Sequence, residues 1–166
     1  MTIQEYTLEE ISYSRKEDCR IMESVLLKWF KNPKVLNFVS PKLSYPFQFK
    51  KWISKFYANS EQNTKTIILK NKKWIIGHIS LEFENGKSNF FHLFIDKEYR
   101  GKNLGEKLIQ EMETISTQYN IPKITTSIAS KNNIAEKLLI KRGYQKSDTT
   151  KTGLIKLYKN LMIINN

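Results

Sequence analysis

The 166-residue sequence predicts one mixed α/β domain spanning 1–166, and three observations carry that reading. Runs rich in β-branched residues, at 66–70 and 123–129, read as strands. Between and before them, apolar residues recur at helical spacing, as in Leu104, Leu108, Ile109, Met112 and Ile115. Pro, Gly and Asn punctuate the joins, and no repeat, low-complexity tract or linker divides the chain.

Residues 3–13 read as a first strand region. Ile21, Val25, Leu26, Trp29 and Phe30 then mark one face of a helix. It should stop near Asn32-Pro33, because proline disfavours helical geometry in the residue before it. The stretch with Pro41 and Pro46 reads as a loop, and Phe49, Trp52, Ile53 and Phe56 mark a second helix. Strands follow at 66–70 and 74–83, joined by Asn71-Lys72-Lys73. Asn85-Gly86 is a strong turn signal, and a strand at 89–95 comes next. The following helix is expected to bury Leu104, Leu108, Ile109, Met112, Ile115 and Tyr119, ending at Ile121-Pro122. After the strand at 123–129, a last helix at about 133–142 has Gly143 placed to terminate it. A strand pair at 144–147 and 154–158 closes the order.

Composition narrows the function classes. Hydrophobic residues make up 40% of the chain, enough for a core and against disorder. No stretch approaches the roughly 18 apolar residues of a membrane span. The N-terminus lacks the basic start and apolar run of a secretory signal. Cys19 is the single cysteine and has no internal disulfide partner, so a cytoplasmic setting is the simplest expectation. The net charge of +12 attracts anions. It comes mostly from Lys scattered along the chain, with no basic block, so no specific nucleic-acid partner is expected. Two distant histidines and one cysteine give no metal-ligand cluster.

The most informative segment is 91–105. An apolar strand ends at Asp96, a short basic turn with Gly101 follows, and an amphipathic helix begins. This is how a chain aims unpaired backbone N–H groups toward a phosphate. Arg100 and Lys102 add positive charge at the same place.

Arg100-Gly101-Lys102-Asn103-Leu104-Gly105 resembles the phosphate-binding motif of the GNAT superfamily of acetyl-CoA-dependent N-acetyltransferases, Gln/Arg-x-x-Gly-x-Gly/Ala. Asn103 replaces the first motif glycine, and Asn tolerates left-handed geometry better than most residues. Asn132 before the last helix, Ala135 within it and Gly143-Tyr144 after it match the family's second half. The resemblance covers about 66–158 by element order. The N-terminal helices look like the branch of ribosomal-protein N-terminal and polyamine acetyltransferases.

The resemblance implies a GNAT fold: a twisted, mostly antiparallel central sheet, helices on both faces, and a splayed central strand pair. It implies acetyl-CoA as acyl donor and a primary amine (a protein N-terminus or a small-molecule amine) as acceptor, attacked directly, in a monomer or homodimer. The pantetheine arm would pair with backbone groups of Leu93, Phe94 and Ile95. The pyrophosphate would sit on the N–H groups of Gly101, Lys102, Asn103, Leu104, Gly105 and Glu106, with Arg100 beside it. Asn132 would hydrogen-bond the pantetheine arm, and its side chain also suits a helix N-cap. The position where many members carry an acidic Tyr is Leu139, so the alternatives are Tyr144, Ser127, a water, or no acid at all. For the base, His92 ranks first and Glu82 second, with Glu84 beside it; the strand parity of His92 differs from Leu93 unless a bulge intervenes. His78 reads as structural. Trp29, Phe38, Tyr45, Phe47 and Trp52 are core residues or line the acceptor groove. The competing reading is an acyl-CoA-binding sensor or interaction module impaired in catalysis, motivated by Leu139 and Asn103.

Overall fold

A computed structural model describes residues 5–59, 63–149 and 153–162; Ile3 and Gln4, within the expected first strand region, lie outside them. The strands are β1 (Tyr6–Ile11), β2 (Thr64–Asn71), β3 (Trp74–Glu84), β4 (Lys87–Ile95), β5 (Lys123–Ala129), β6 (Gln145–Thr149) and β7 (Leu154–Asn160). The helices are α1 (Lys16–Trp29), α2 (Pro33–Val39), α3 (Phe49–Phe56), α4 (Leu104–Gln118) and α5 (Asn133–Lys141). The strands form one sheet in the order β1-β2-β3-β4-β5-β7-β6. All pairs are antiparallel except β4 and β5.

Each face of the sheet carries its own core. On one, β2, β3 and β4 pack under α4 and α5 through Leu81, Phe90, Leu108, Ile109, Met112 and Leu139. On the other, α1, α2 and α3 cover Ile68 and Phe94 with Met22, Leu26, Phe30, Leu36 and Trp52. Gly77 lets β2, β3 and β4 come together, since a Cβ there would stand 2.9 Å from Ile95 Cδ1 and 3.1 Å from Leu69 Cβ.

Helix α2 is the element the sequence reading missed. Pro33 ends α1 as expected but also opens the next helix at its first position, where its missing N–H costs nothing. The Asn32 side chain caps α2 by accepting from the Lys34 amide at 2.8 Å. A second correction concerns Tyr119. It lies just past α4 and is 54% exposed, its ring tilted against Phe83 at the surface rather than in the core.

Candidate active site

The site begins where two parallel strands part. β4 and β5 pair only at Ser88↔Ile124 and Asn89↔Thr125. Beyond them the Thr126 hydroxyl still donates to the Phe90 carbonyl at 2.9 Å, and then the strands diverge. A cavity of about 60 Å³ opens between them, lined by Phe91, His92 and Leu93 of β4 and by Ser127 and Ile128 of β5. Phe38 and Val39 of α2, Leu138 and Leu139 of α5, and Asn132 also line it.

A bulge in β4 sets the geometry of this opening. Ser80 pairs with Phe91 and His78 with Phe94, so His92 and Leu93 together oppose Ile79. His92 has φ 55°, left-handed backbone in a non-glycine residue. Phe91 and Phe94 accordingly pack on the α1–α3 face, while Phe90, Leu93 and Ile95 pack on the α4 face. Past the bulge the Asp96 amide donates to the Ile76 carbonyl at 2.7 Å. Antiparallel alternation then turns the main-chain groups of Ile95 to the opposite edge, toward the opening.

The motif turn lies at the end of this strand. Asp96 caps a single 3₁₀ turn, Lys97–Tyr99, and the chain swings through Gly101 (φ 79°) and Asn103 (φ 60°) into α4. Asn103 thus adopts the left-handed geometry that the missing glycine requires. Its side chain makes no capping bond, and the α4 N-terminus starts with exposed Lys102 and Asn103, half-buried Gly105 and Glu106, and buried Leu104. Arg100 folds back instead of reaching outward. Its Nε donates to the Ile95 carbonyl at 3.0 Å and its guanidinium lies 5.4 Å from the centre of the Phe94 ring. Glu106 pairs with Lys141 at 3.6 Å.

Asn132 caps α5, accepting from the Ala135 amide at 3.3 Å while it lines the cavity. Of the expected proton carriers, Ser127 lines the cavity, while His92, Glu82 and Tyr144 are dispersed. His92 lies on the α1–α3 face, its ring stacked on Trp52 at 3.9 Å and 17°. Ser40 Oγ meets its Nε2 at 2.9 Å and Tyr57 Oη its Nδ1 at 2.8 Å. Burial, together with neighbouring His78, pushes its pKa well below the usual histidine value. Both ring nitrogens are engaged, so an amine would have to displace a partner to reach them. Glu82 is half-buried on β3 and accepts from Asn89 Nδ2 at 3.2 Å. Burial raises its pKa, against the smaller pull of the Asn89 bond. Asn89 Oδ1 accepts in turn from Thr125 Oγ1 at 2.9 Å, so Glu82 stands beside the fork where the strands part. Tyr144 is on the other side of the sheet, buried against Phe90 and donating to Glu113 at 3.1 Å. Burial, and then the Glu113 charge, raise its pKa. It does not line the cavity, whereas Leu139 does.

Sequence reasoning gave no sign of Ser40 or Tyr57, which sit 52 and 35 residues from the histidine they hold. Of the aromatic residues before β2, Trp29, Phe47 and Trp52 are core, Phe38 lines the cavity, and Tyr45 is at the surface with its hydroxyl on the Lys31 carbonyl. Cys19 is half-buried, its thiol donating to the Tyr13 carbonyl. Among the described residues no cluster of metal-ligating side chains is found, and no helix is long and apolar enough to cross a membrane.

A parted parallel pair beside a left-handed turn into a helix is the arrangement that the sequence motif implied. The family profile described as an acetyltransferase (GNAT) domain matches residues 40–153, most of the chain. The chain belongs to the GNAT family. It is a GNAT acetyltransferase acting with coenzyme A. The fold agrees with those of solved structures. The PaiA N-acetyltransferase of Thermoplasma acidophilum, solved with coenzyme A, superposes with a TM-score of 0.71 at 17% identity, over 94% of this chain and 99% of that one. The ribosomal-protein-S18-alanine N-acetyltransferase of Escherichia coli gives 0.71 at 11% identity, over 97% of each chain. The spermidine N-acetyltransferase of Vibrio cholerae, solved with coenzyme A and spermine, gives 0.71 at 17% identity, over 93% of this chain and 95% of that one. No curated protein sequence matches the chain.

Proposed function

We propose that this GNAT chain moves an acetyl group from acetyl-CoA to a primary amine by direct attack, the amine approaching from the α1–α3 face. The observation that carries the reading is the opening between β4 and β5, with the bulge at its side and the α4 N-terminus at its end. An extended pantetheine arm fits such an opening, because the free edge of β4 offers main-chain groups that β5 has left. The groups assigned to it are those of Leu93 and Ile95, with Asn132 opposite, whereas Phe94, also expected to pair with the arm, turns its own groups to His78 on β3. The diphosphate then falls on the amides from Gly101 through Lys102, Asn103, Leu104 and Gly105 to Glu106, where the helix dipole favours negative charge. Arg100 acts from the side, bracing the end of β4 through its bond to Ile95. The Leu93 amide polarises the thioester carbonyl and stabilises the oxyanion.

The attacking amine must lose a proton. Glu82 suits this task better than His92, because it is partly open to solvent on the acceptor side and its side-chain partner among the described residues is Asn89. It takes the proton through water. The departing thiolate, from a thiol with pKa about 8.5, needs no strong acid, which suits a chain with Leu139 at the usual Tyr position and Tyr144 bound to Glu113. The net charge of +12 favours an acceptor that carries a carboxylate, such as a peptide, over a polycation.

Titration calorimetry with CoA, followed by thiol release from acetyl-CoA over peptides with free α-amines, spermidine and aminoglycosides, tests the reading. Saturable CoA binding and release with at least one amine are expected. Tight binding without release on any amine would sink it and leave a sensor. Glu82→Gln should lower kcat by about 10²-fold, the usual size of a general-base contribution. CoA affinity should stay constant, and the wild-type rate should rise with pH as the carboxylate ionises above its ordinary range.

A further inference from the structure

The bulge that opens β4 is held from outside the strand. Left-handed backbone at His92 costs energy for a non-glycine residue and persists only when its surroundings over-determine it. In this register neither His92 nor Leu93 has its own partner on β3. The His92 carbonyl instead lies 2.8 Å from the Nδ1 of buried His78. A carbonyl only accepts, so Nδ1 carries the proton. His78 is neutral, since burial lowers its pKa to about 4. Its Nε2 is therefore an acceptor, and the hydroxyl of Tyr13, 2.8 Å away and itself buried, donates to it. The His92 carbonyl thus selects the tautomer, and the Tyr13 hydroxyl completes it by donating to Nε2.

The consequence reaches the opening through one planar unit. The His92 carbonyl and the Leu93 N–H belong to the same trans peptide and point in opposite directions. With the carbonyl held by the His78 imidazole on the α1–α3 face and Leu93 left without a β3 partner, the direction of the N–H is fixed through the same peptide plane. We propose that His78 is a positioning residue, braced at Nε2 by Tyr13, whose Nδ1–H holds the His92 carbonyl and thereby aims the Leu93 amide at the acyl carbonyl. This rests on the reading above, in which that amide is the oxyanion donor. His78 touches no substrate.

The wild-type chain supplies the first test. Long-range ¹H–¹⁵N spectra of the imidazoles should show His78 protonated at Nδ1 and bare at Nε2; the opposite tautomer overturns the proposal. Kinetics supply the second. His78→Leu should lower kcat about 10- to 100-fold, less than the roughly 10²- to 10³-fold for outright loss of an oxyanion donor because the amide is misaimed and not removed, with CoA affinity within about threefold because the α4 N-terminus is untouched. Asn at this position keeps a side-chain N–H near the place of Nδ1, so His78→Asn should recover most of the loss. A kcat for folded His78→Leu within about threefold of wild type overturns the inference, as does a His78→Asn rate no better than His78→Leu. If His78→Leu does not fold, Tyr13→Phe takes its place. It strips the brace from Nε2, so it should loosen the imidazole and lower kcat several-fold, and an unchanged rate overturns the proposal. A wild-type chain that releases no thiol with any of the amines overturns the functional reading and this inference with it. Turnover undiminished by the substitutions overturns the inference alone.

Discussion

The two faces of the sheet bury polar groups by opposite means. Under α4 the cluster is charged: Glu113 accepts from Arg142 at 2.8 Å, Lys159 at 3.1 Å and Tyr144 at 3.1 Å. Under α1–α3 it is neutral. Ser40, His92, Tyr57, Ser80 and Thr66 form one chain of bonds between 2.8 and 2.9 Å, and Tyr13 and His78 join it at the His92 carbonyl. The charged cluster lies near the rim, where Arg142 and Lys159 keep 21% and 26% of their side-chain surface in water. The neutral one is closed, with His78, His92, Ser40 and Ser80 all under 5% exposed. Ions taken wholly from water cost more than their attraction returns. Hydroxyls and neutral imidazoles are both donors and acceptors, and can satisfy one another out of reach of solvent. The closed network therefore stands behind the bulge, and the ionic one ties α4 to the end of α5 and to β7.

Several substitutions bear on this contrast. Trp52→Ala should have the largest effect. The indole is fully buried and stacked on His92, so its loss opens a cavity beneath the neutral network and costs about 3–5 kcal/mol in chemical denaturation. A change below about 1 kcal/mol would mean that the network is not held by this packing. Glu113→Ala should follow, at about 3 kcal/mol, because it strands one guanidinium, one ammonium and one buried phenol. It should leave CoA affinity unchanged, and weaker CoA binding at full stability would show that the two faces are coupled.

Acid should act on the neutral face. A histidine with its folded pKa below the unfolded value makes the unfolded chain bind more protons between the two, so stability falls as pH falls. For His78 the window runs from about 6.5 down to about 4. Its contribution is on the order of 3 kcal/mol when fully lost. His92, lowered further in the same direction, extends the loss. Thermal melts from pH 7.5 to 4.5 should show the decline, and His78→Asn should flatten it; an equally steep decline in that variant would trace the acid sensitivity elsewhere. The smallest effect is expected at the motif turn. Asn103→Val forces a β-branched residue into φ 60°, at about 1–2 kcal/mol. CoA binding should weaken along with it, and unaltered affinity would separate the turn from the diphosphate.

Much of the fold was legible because local chemistry declared it. Asn85-Gly86 is the β3–β4 turn, Gly143 follows α5 at φ 93°, and apolar spacing foretold the buried face of α4 from Leu104 to Ile115. Helix α2 was not legible. Residues 33–39 are too few for a period to stand out, and Pro33 signals a stop and a start equally well. Tyr119 continued the α4 pattern but fell beyond its last turn. At the site, Asn103 was readable as a left-handed residue, whereas the partners of His92 come from α2's end and from just past α3.

By itself, the sequence determined the order of elements, the family motif at Arg100–Gly105 and the side-chain types at the turn, because these follow from neighbours a few positions apart. Tertiary structure alone decided where β4 and β5 part, that His92 is enclosed while Glu82 stands open, and that His78 grips the bulge. Those outcomes depend on which strand edges and helix ends meet in space, and pairing across tens of residues leaves no mark on the local pattern.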